Sequence, residues 1–84
     1  MFLHAGNNKN IRKKEIIGIF DMDSATVSPV TRKFLTRMEK KGNTQNVSWE
    51  LPKSFILCGT GDHSKVYISP IAPQTLVQRA EEKR

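Results

Sequence analysis

The chain has 84 residues, 14 Lys and Arg against 8 Asp and Glu, a formal net charge of +6 and one cysteine. That length supports one domain, predicted over residues 1–84, burying roughly 60–65% of the surface its unfolded form exposes, so stability calls for a disulfide, a metal or self-association. The lone Cys58 excludes an internal disulfide, and His4 and His63 lie far apart without a cysteine pair to complete a zinc site, which leaves self-association. No apolar run nears the ~18 residues of a membrane span, and Met1–Gly6 is too short and too polar afterward for a signal-peptide core. A cytoplasmic protein is expected, with no membrane partner.

Phe2–Ala5 reads as a short strand stopped by the turn signal Gly6-Asn7-Asn8. Glu15–Phe20 is the strongest strand. Strict alternation would set Ile16 and Phe20 on one face and Ile17 and Ile19 on the other, so it wants cover on both sides. Gly18 within it suggests close approach of another group, such as a helix backbone. Asp21–Ala25 is a polar connector.

Ser28-Pro29 opens a helix: serine caps the free amides and proline suits the first helical position. Val30, Phe34 and Met38 form its apolar stripe, with Leu35 beside it, and Gly42 ends it after Lys40-Lys41. Lys33, Arg37 and Lys40 share an outer face, which reads as solvated. Asn46–Trp49 is a candidate edge strand. Lys53–Cys58 and Ser64–Ser69 are strands joined by the hairpin chemistry of Gly59–His63. A closing helix starts at Pro73, with Leu76 and Ala80 on one face. Trp49, beside Leu51 and Pro52, reads as core, with an exposed interface anchor as the alternative. The fold class is α+β: a small antiparallel sheet of four or five strands with two helices.

The positive charge is concentrated in the first half, where residues 1–42 hold nine cations and four carboxylates. Arg12-Lys13-Lys14 runs straight into the Glu15–Phe20 strand, so these cations are held at a fixed place on a folded surface. A positioned basic cluster suits a polyanion, nucleic acid first. Catalysis is not expected. Asp21 and Asp23 lack a third ligand and read as helix-entry or turn residues. Ser54 or Ser64 with His63 lacks an orienting carboxylate, and Gly59–His63 lacks the spacing of a phosphate-binding loop. No metal or cofactor is implied. Cys58 reads as a small buried apolar residue.

Leu3-His4-Ala5-Gly6, Ile16–Asp21, Ser28-Pro29, Phe34-Leu35, Pro52-Lys53-Ser54, Tyr67–Ile71, Thr75-Leu76 and Arg79-Ala80, in this order and spacing, resemble the small bacterial extracellular matrix regulators of the RemA/RemB family. The likeness runs over nearly the whole chain and is closer to the RemB branch. It implies a LytTR-like fold, assembly into rings, and regulation of biofilm-matrix genes through double-stranded DNA. In the RemA branch, DNA contact falls to an arginine at the start of the strong strand and an arginine pair before the later hairpin. The first is matched loosely by Arg12, Lys13 and Lys14, with Glu15 at or near the arginine's place. At the second stands Trp49-Glu50-Leu51-Pro52, with Lys53 keeping a cation close by. The candidate DNA contacts are therefore Arg12, Lys13, Lys14 and Lys53. The competing class is a protein–protein adaptor partnering a RemA-like paralogue. The doubly apolar Glu15–Phe20 strand predicts a cyclic homo-oligomer larger than a dimer.

Overall fold

The computed structural model describes residues 2–6, 9–60 and 63–81. In chain order its elements are β1 (Phe2–Gly6), β2 (Lys9–Arg12), a 3-10 turn (Lys13–Glu15), β3 (Ile16–Asp21), α1 (Met22–Ala25), α2 (Pro29–Lys40), β4 (Thr44–Asn46), β5 (Ser54–Thr60), β6 (His63–Ser69) and α3 (Pro73–Glu81). The α+β class holds. The strands divide into a β1–β2 hairpin and a four-stranded sheet ordered β3-β5-β6-β4. The larger sheet is mixed rather than antiparallel, because β4 runs parallel to β6.

Alternation along β5 and β6 builds the layers. Ile56, Cys58 and Tyr67 point to one face, where Leu3, Ala5 and Ile11 of the hairpin and Leu76 of α3 cover them. Phe55, Leu57, Val66 and Ile68 point to the other, under Phe34, Leu35 and Met38 of α2 and Met22 and Ala25 of α1. Both faces are thus covered within one subunit. Two buried hydroxyls lock the first layer. Ser69 Oγ donates to Ala5 O (2.7 Å) and accepts from Ile71 N (3.1 Å), while Ser54 Oγ donates to Ile71 O (2.8 Å).

Local signals behave as expected in α2. Ser28 Oγ accepts from Thr31 N at 3.4 Å. At the other end Gly42 takes φ +74°, Gly42 N donates to Glu39 O and Asn43 N donates to Met38 O, a Schellman closure. The connector after β3 is itself a helical turn. Asp21 Oδ1 accepts from Asp23 N (2.9 Å) and Ser24 N (3.3 Å), the helix-entry duty expected of this carboxylate.

Strict alternation fails in β3. The pairing with β5 slips between Ile16 and Gly18, so Ile17 is the extra residue of a bulge. Ile16 and Ile19 consequently share the hairpin-covered face, and Phe20 stacks on Phe55 across the other (centroids 5.0 Å). Ile17 is left 64% exposed. What approaches Gly18 is the Phe20 ring, not a helix backbone: a Cβ there would lie 2.7 Å from that ring.

The edge strand expected at residues 46–49 is displaced to Thr44–Asn46, and Trp49, read as core, is 94% exposed. Ser48 Oγ accepts from Glu50 N (3.1 Å), a tight turn whose middle residue is the tryptophan. In the two turns predicted to join strands, Asn7, Asn8, Gly61 and Asp62 lie outside the described residues. The pairing Thr60↔His63 shows the second hairpin.

Candidate nucleic-acid interface

The strand register decides which cations meet. Ile16 pairs with Cys58, so the 3-10 turn bearing Lys13 and Lys14 arrives at the β5–β6 hairpin end of the sheet. Val66 N donates to Asn43 O at 2.9 Å, which brings the C-terminus of α2, with Lys40 and Lys41, to that same end. β6 starts there with His63 and Lys65. A cavity of about 300 Å³ lies at this end: Glu15 lines it from the turn, Asn43 from behind α2, and Cys58, His63 and Lys65 from the hairpin strands. Arg12, Lys14, Lys40, Lys41 and Lys65 are exposed and Lys13 half-buried. One end of the molecule is therefore cationic.

Two features hold these charges in place. Lys9 Nζ and Lys65 Nζ lie 4.8 and 5.9 Å from the centroid of the buried Tyr67 ring, an electrostatic attraction to its face. Arg12 Nε lies 3.9 Å from Glu15 Oε2, both partly solvated, worth at most about 1 kcal/mol. Glu15 is a carboxylate beside Arg12 at this end. Burial first, and then the Glu15 charge, push the Cys58 thiol up to about 11, with Lys9 acting the other way. The thiol is protonated at neutral pH, so Cys58 is packing rather than nucleophile, as its sequence context suggests. Among the described residues, no three His, Cys, Asp or Glu side chains converge as metal ligands.

Arg12, Lys13 and Lys14 stay together, framing a shallow depression with Phe2. Lys53 does not join them. It precedes Ser54, which pairs with Asp21 at the far end of β3 from the 3-10 turn, five residues or roughly 16 Å away along the strand. Lys40, Lys41 and Lys65 do join them and were missed from sequence. The lysine pair was legible as helix-terminal charge, but its partners lie some 25 residues away on either side. At the Lys53 end stand Asp21, Asp23 and Glu50, together with exposed Trp49, Leu51, Val27 and Val30.

The described residues thus form a six-stranded α+β frame with one cationic end. The chain belongs to the RemA-like family, whose model, described as extracellular matrix regulatory protein A-like, matches residues 2–80. Within it the sequence falls in the RemB branch: it is 31% identical over 81 residues to extracellular matrix regulatory protein B of Bacillus subtilis (strain 168), covering 96% of this chain and 91% of that protein. Regulation of extracellular matrix is the function this family carries.

Proposed function

We propose that this protein is a non-enzymatic transcriptional regulator of extracellular-matrix genes, acting in the cytoplasm as an oligomer that holds double-stranded DNA through its phosphates. The observation that carries this reading is the cationic end, where the 3-10 turn, the α2 terminus and β6 place Arg12, Lys13, Lys14, Lys40, Lys41 and Lys65 together. Lysine and arginine contacts to phosphate position DNA without reading its sequence, so sequence choice falls to DNA shape. Lys53 contributes from the far end of the sheet only where DNA or a neighbouring subunit passes there. An electrophoretic shift with duplex DNA at several salt concentrations tests the proposal. Binding that falls steeply with salt supports it. No shift at low salt overturns it.

Oligomerisation is supported by β3, an edge strand of the larger sheet with Ile17 64% exposed beside a half-covered Phe20. A ring whose subunit contact includes residues 15–20 would repeat the cationic end and add multivalence. Light scattering behind size exclusion should give several subunits. A 9.5 kDa monomer at micromolar concentration would remove the ring.

One observation favours a second reading, the adaptor. Trp49 and Leu51 are 94% and 82% exposed in a loop that replaces the RemA-branch arginine pair. An exposed tryptophan flanked by aliphatic residues is the composition of an interface anchor, suited to a RemA-like paralogue. Loss of regulation on Trp49→Ala, with duplex binding intact, would establish that reading.

A further inference from the structure

α2 carries a charge pattern that helix stability does not account for. Phe34, Leu35 and Met38 pack against the sheet, and on the opposite face Lys33, Thr36, Arg37 and Lys40 recur at i, i+3, i+4 and i+7. Arg32 and Lys41 flank this ridge. Five cations thus stand against one carboxylate, Glu39, which lies at the side of the ridge next to Arg32. Among the described residues, none of the five has a carboxylate oxygen within 4 Å.

Arg37 and Lys40, in the last turn, suit the negative end of the helix, but the rest of the pattern works against it. Lys33/Arg37 and Arg37/Lys41 are like-charge pairs at i, i+4, and Arg37/Lys40 is one at i, i+3, all repulsive. Arg32 and Lys33 sit toward the N-terminal half, where the macrodipole favours anions, and the first turn holds no acid. A merely solvated face would gain from interspersed carboxylates. A face built to meet a polyanion would omit them.

We infer that the α2 ridge is a second contact surface for the phosphate backbone of duplex DNA, continuous through Lys40 and Lys41 with the cationic end. The inference rests on the DNA-binding reading and extends it along the helix. From Lys33 to Lys40 the ridge rises about 10 Å, the span of roughly three phosphates on one strand. The side chains of Arg32, Lys33, Thr36, Arg37 and Lys40 frame a shallow trough of about 590 Å³ with no aromatic to stack an unpaired base, which favours a duplex over a single strand. A lipid surface needs an apolar face to insert, and that of α2 is packed on the sheet.

The test compares salt dependence of binding to a mixed-sequence 30-base-pair duplex for the wild type, the ridge variant Lys33→Gln/Arg37→Gln/Lys40→Gln, and the turn variant Arg12→Gln/Lys13→Gln/Lys14→Gln. The ridge variant should melt close to the wild type, because the repulsive pairs it removes offset the favourable last-turn charges it loses. Its slope of log K against log salt should flatten by roughly 3, and that of Arg37→Gln alone by roughly 1. Lys33→Arg/Lys40→Arg should leave the slope unchanged. An unchanged slope in the ridge variant, with loss confined to the turn variant, overturns the inference and leaves the proposed function standing. A wild type that does not bind duplex at low salt overturns both. Binding to vesicles of 3:1 neutral to anionic phospholipid that the ridge variant abolishes, with duplex binding untouched, also overturns it in favour of a membrane surface.

Discussion

The two ends of the larger sheet differ in chemistry although the same strands build both. The β5–β6 hairpin end carries Lys13, Lys14, Lys40, Lys41 and Lys65, with Glu15 and Lys65 lining one cavity there. At the opposite end, Asp21, Asp23 and Glu50 stand with Lys53 and with exposed Val27, Val30, Trp49 and Leu51. A polyanion is drawn to the first end and meets carboxylates at the second. A protein partner finds a tryptophan anchor at the second, where Trp49 and Leu51 stand 94% and 82% exposed. The proposed regulator and adaptor readings therefore fall on different surfaces.

Both ends hang on one frame, and the largest expected effect is to break it. Ile56 is fully buried between α3 and the β1–β2 hairpin. Ile56→Ala should cost about 2–5 kcal/mol, a large share of the stability of so small a domain, and chemical denaturation should read it directly. Both ends should lose function together. Loss of one alone would mean that the ends fold independently. Ser69→Ala should cost about 1–3 kcal/mol, since it leaves the Ala5 carbonyl and the Ile71 amide without their buried partner. A shift in urea midpoint without a change in slope is the expected signature.

The cationic end carries a pH signature. The Cys58 pKa is raised in the fold to about 11 from the ordinary 9.0. Below pH 9 the thiol is neutral in folded and unfolded chains alike, and its contribution is fully present. Between pH 9 and 11 only the unfolded chain ionises, so stability falls as pH rises, by on the order of 1–2 kcal/mol. The difference in melting temperature between wild type and Cys58→Ala should narrow or invert across that window. A constant difference would contradict the burial of the thiol. A smaller effect is expected at Glu15, where Glu15→Gln frees Arg12 from its 3.9 Å partner. Stability should move by less than about 1 kcal/mol, while the salt slope of duplex binding steepens by up to roughly 0.9, one phosphate more.

How far the sequence foretold the two ends differs for a physical reason. Caps and periodicity are local, so α2 with Ser28, Pro29 and Gly42, the β5–β6 hairpin and the α+β class were readable. β2 was missed because Lys9–Arg12 is four residues long and mostly polar, and its only strand signal, Ile11, is buried by partners elsewhere in the chain. The bulge at Ile17 inverted the face assignment of half of β3, since one inserted residue flips every later side chain. Arg12, Lys13 and Lys14 were found because they are contiguous. Lys40, Lys41 and Lys65 join them only through β6 pairing, and that same pairing sends Lys53 to the other end. The residues carrying the family likeness, such as Ala5, Ser54, Ser69, Ile71 and Leu76, prove to be frame residues. They therefore located the fold better than the site.

The smallest expected effect sharpens the contrast most. Trp49 is 94% exposed in a turn fixed by Ser48 and Glu50 and contributes to neither buried cluster. Trp49→Ala should therefore change stability by no more than about 0.5 kcal/mol, where a buried tryptophan would cost about 3–5. Melting of the purified chain distinguishes these outcomes. The same variant keeps all the cations of the other end, so its duplex affinity and salt slope should match the wild type. An indole this exposed emits at long wavelength, and a blue shift on mixing with a RemA-like paralogue, absent when the chain is mixed with duplex DNA alone, would place the partner at this end. A blue shift on dilution-reversible self-association would instead make the apolar end the subunit contact and move the ring interface away from β3.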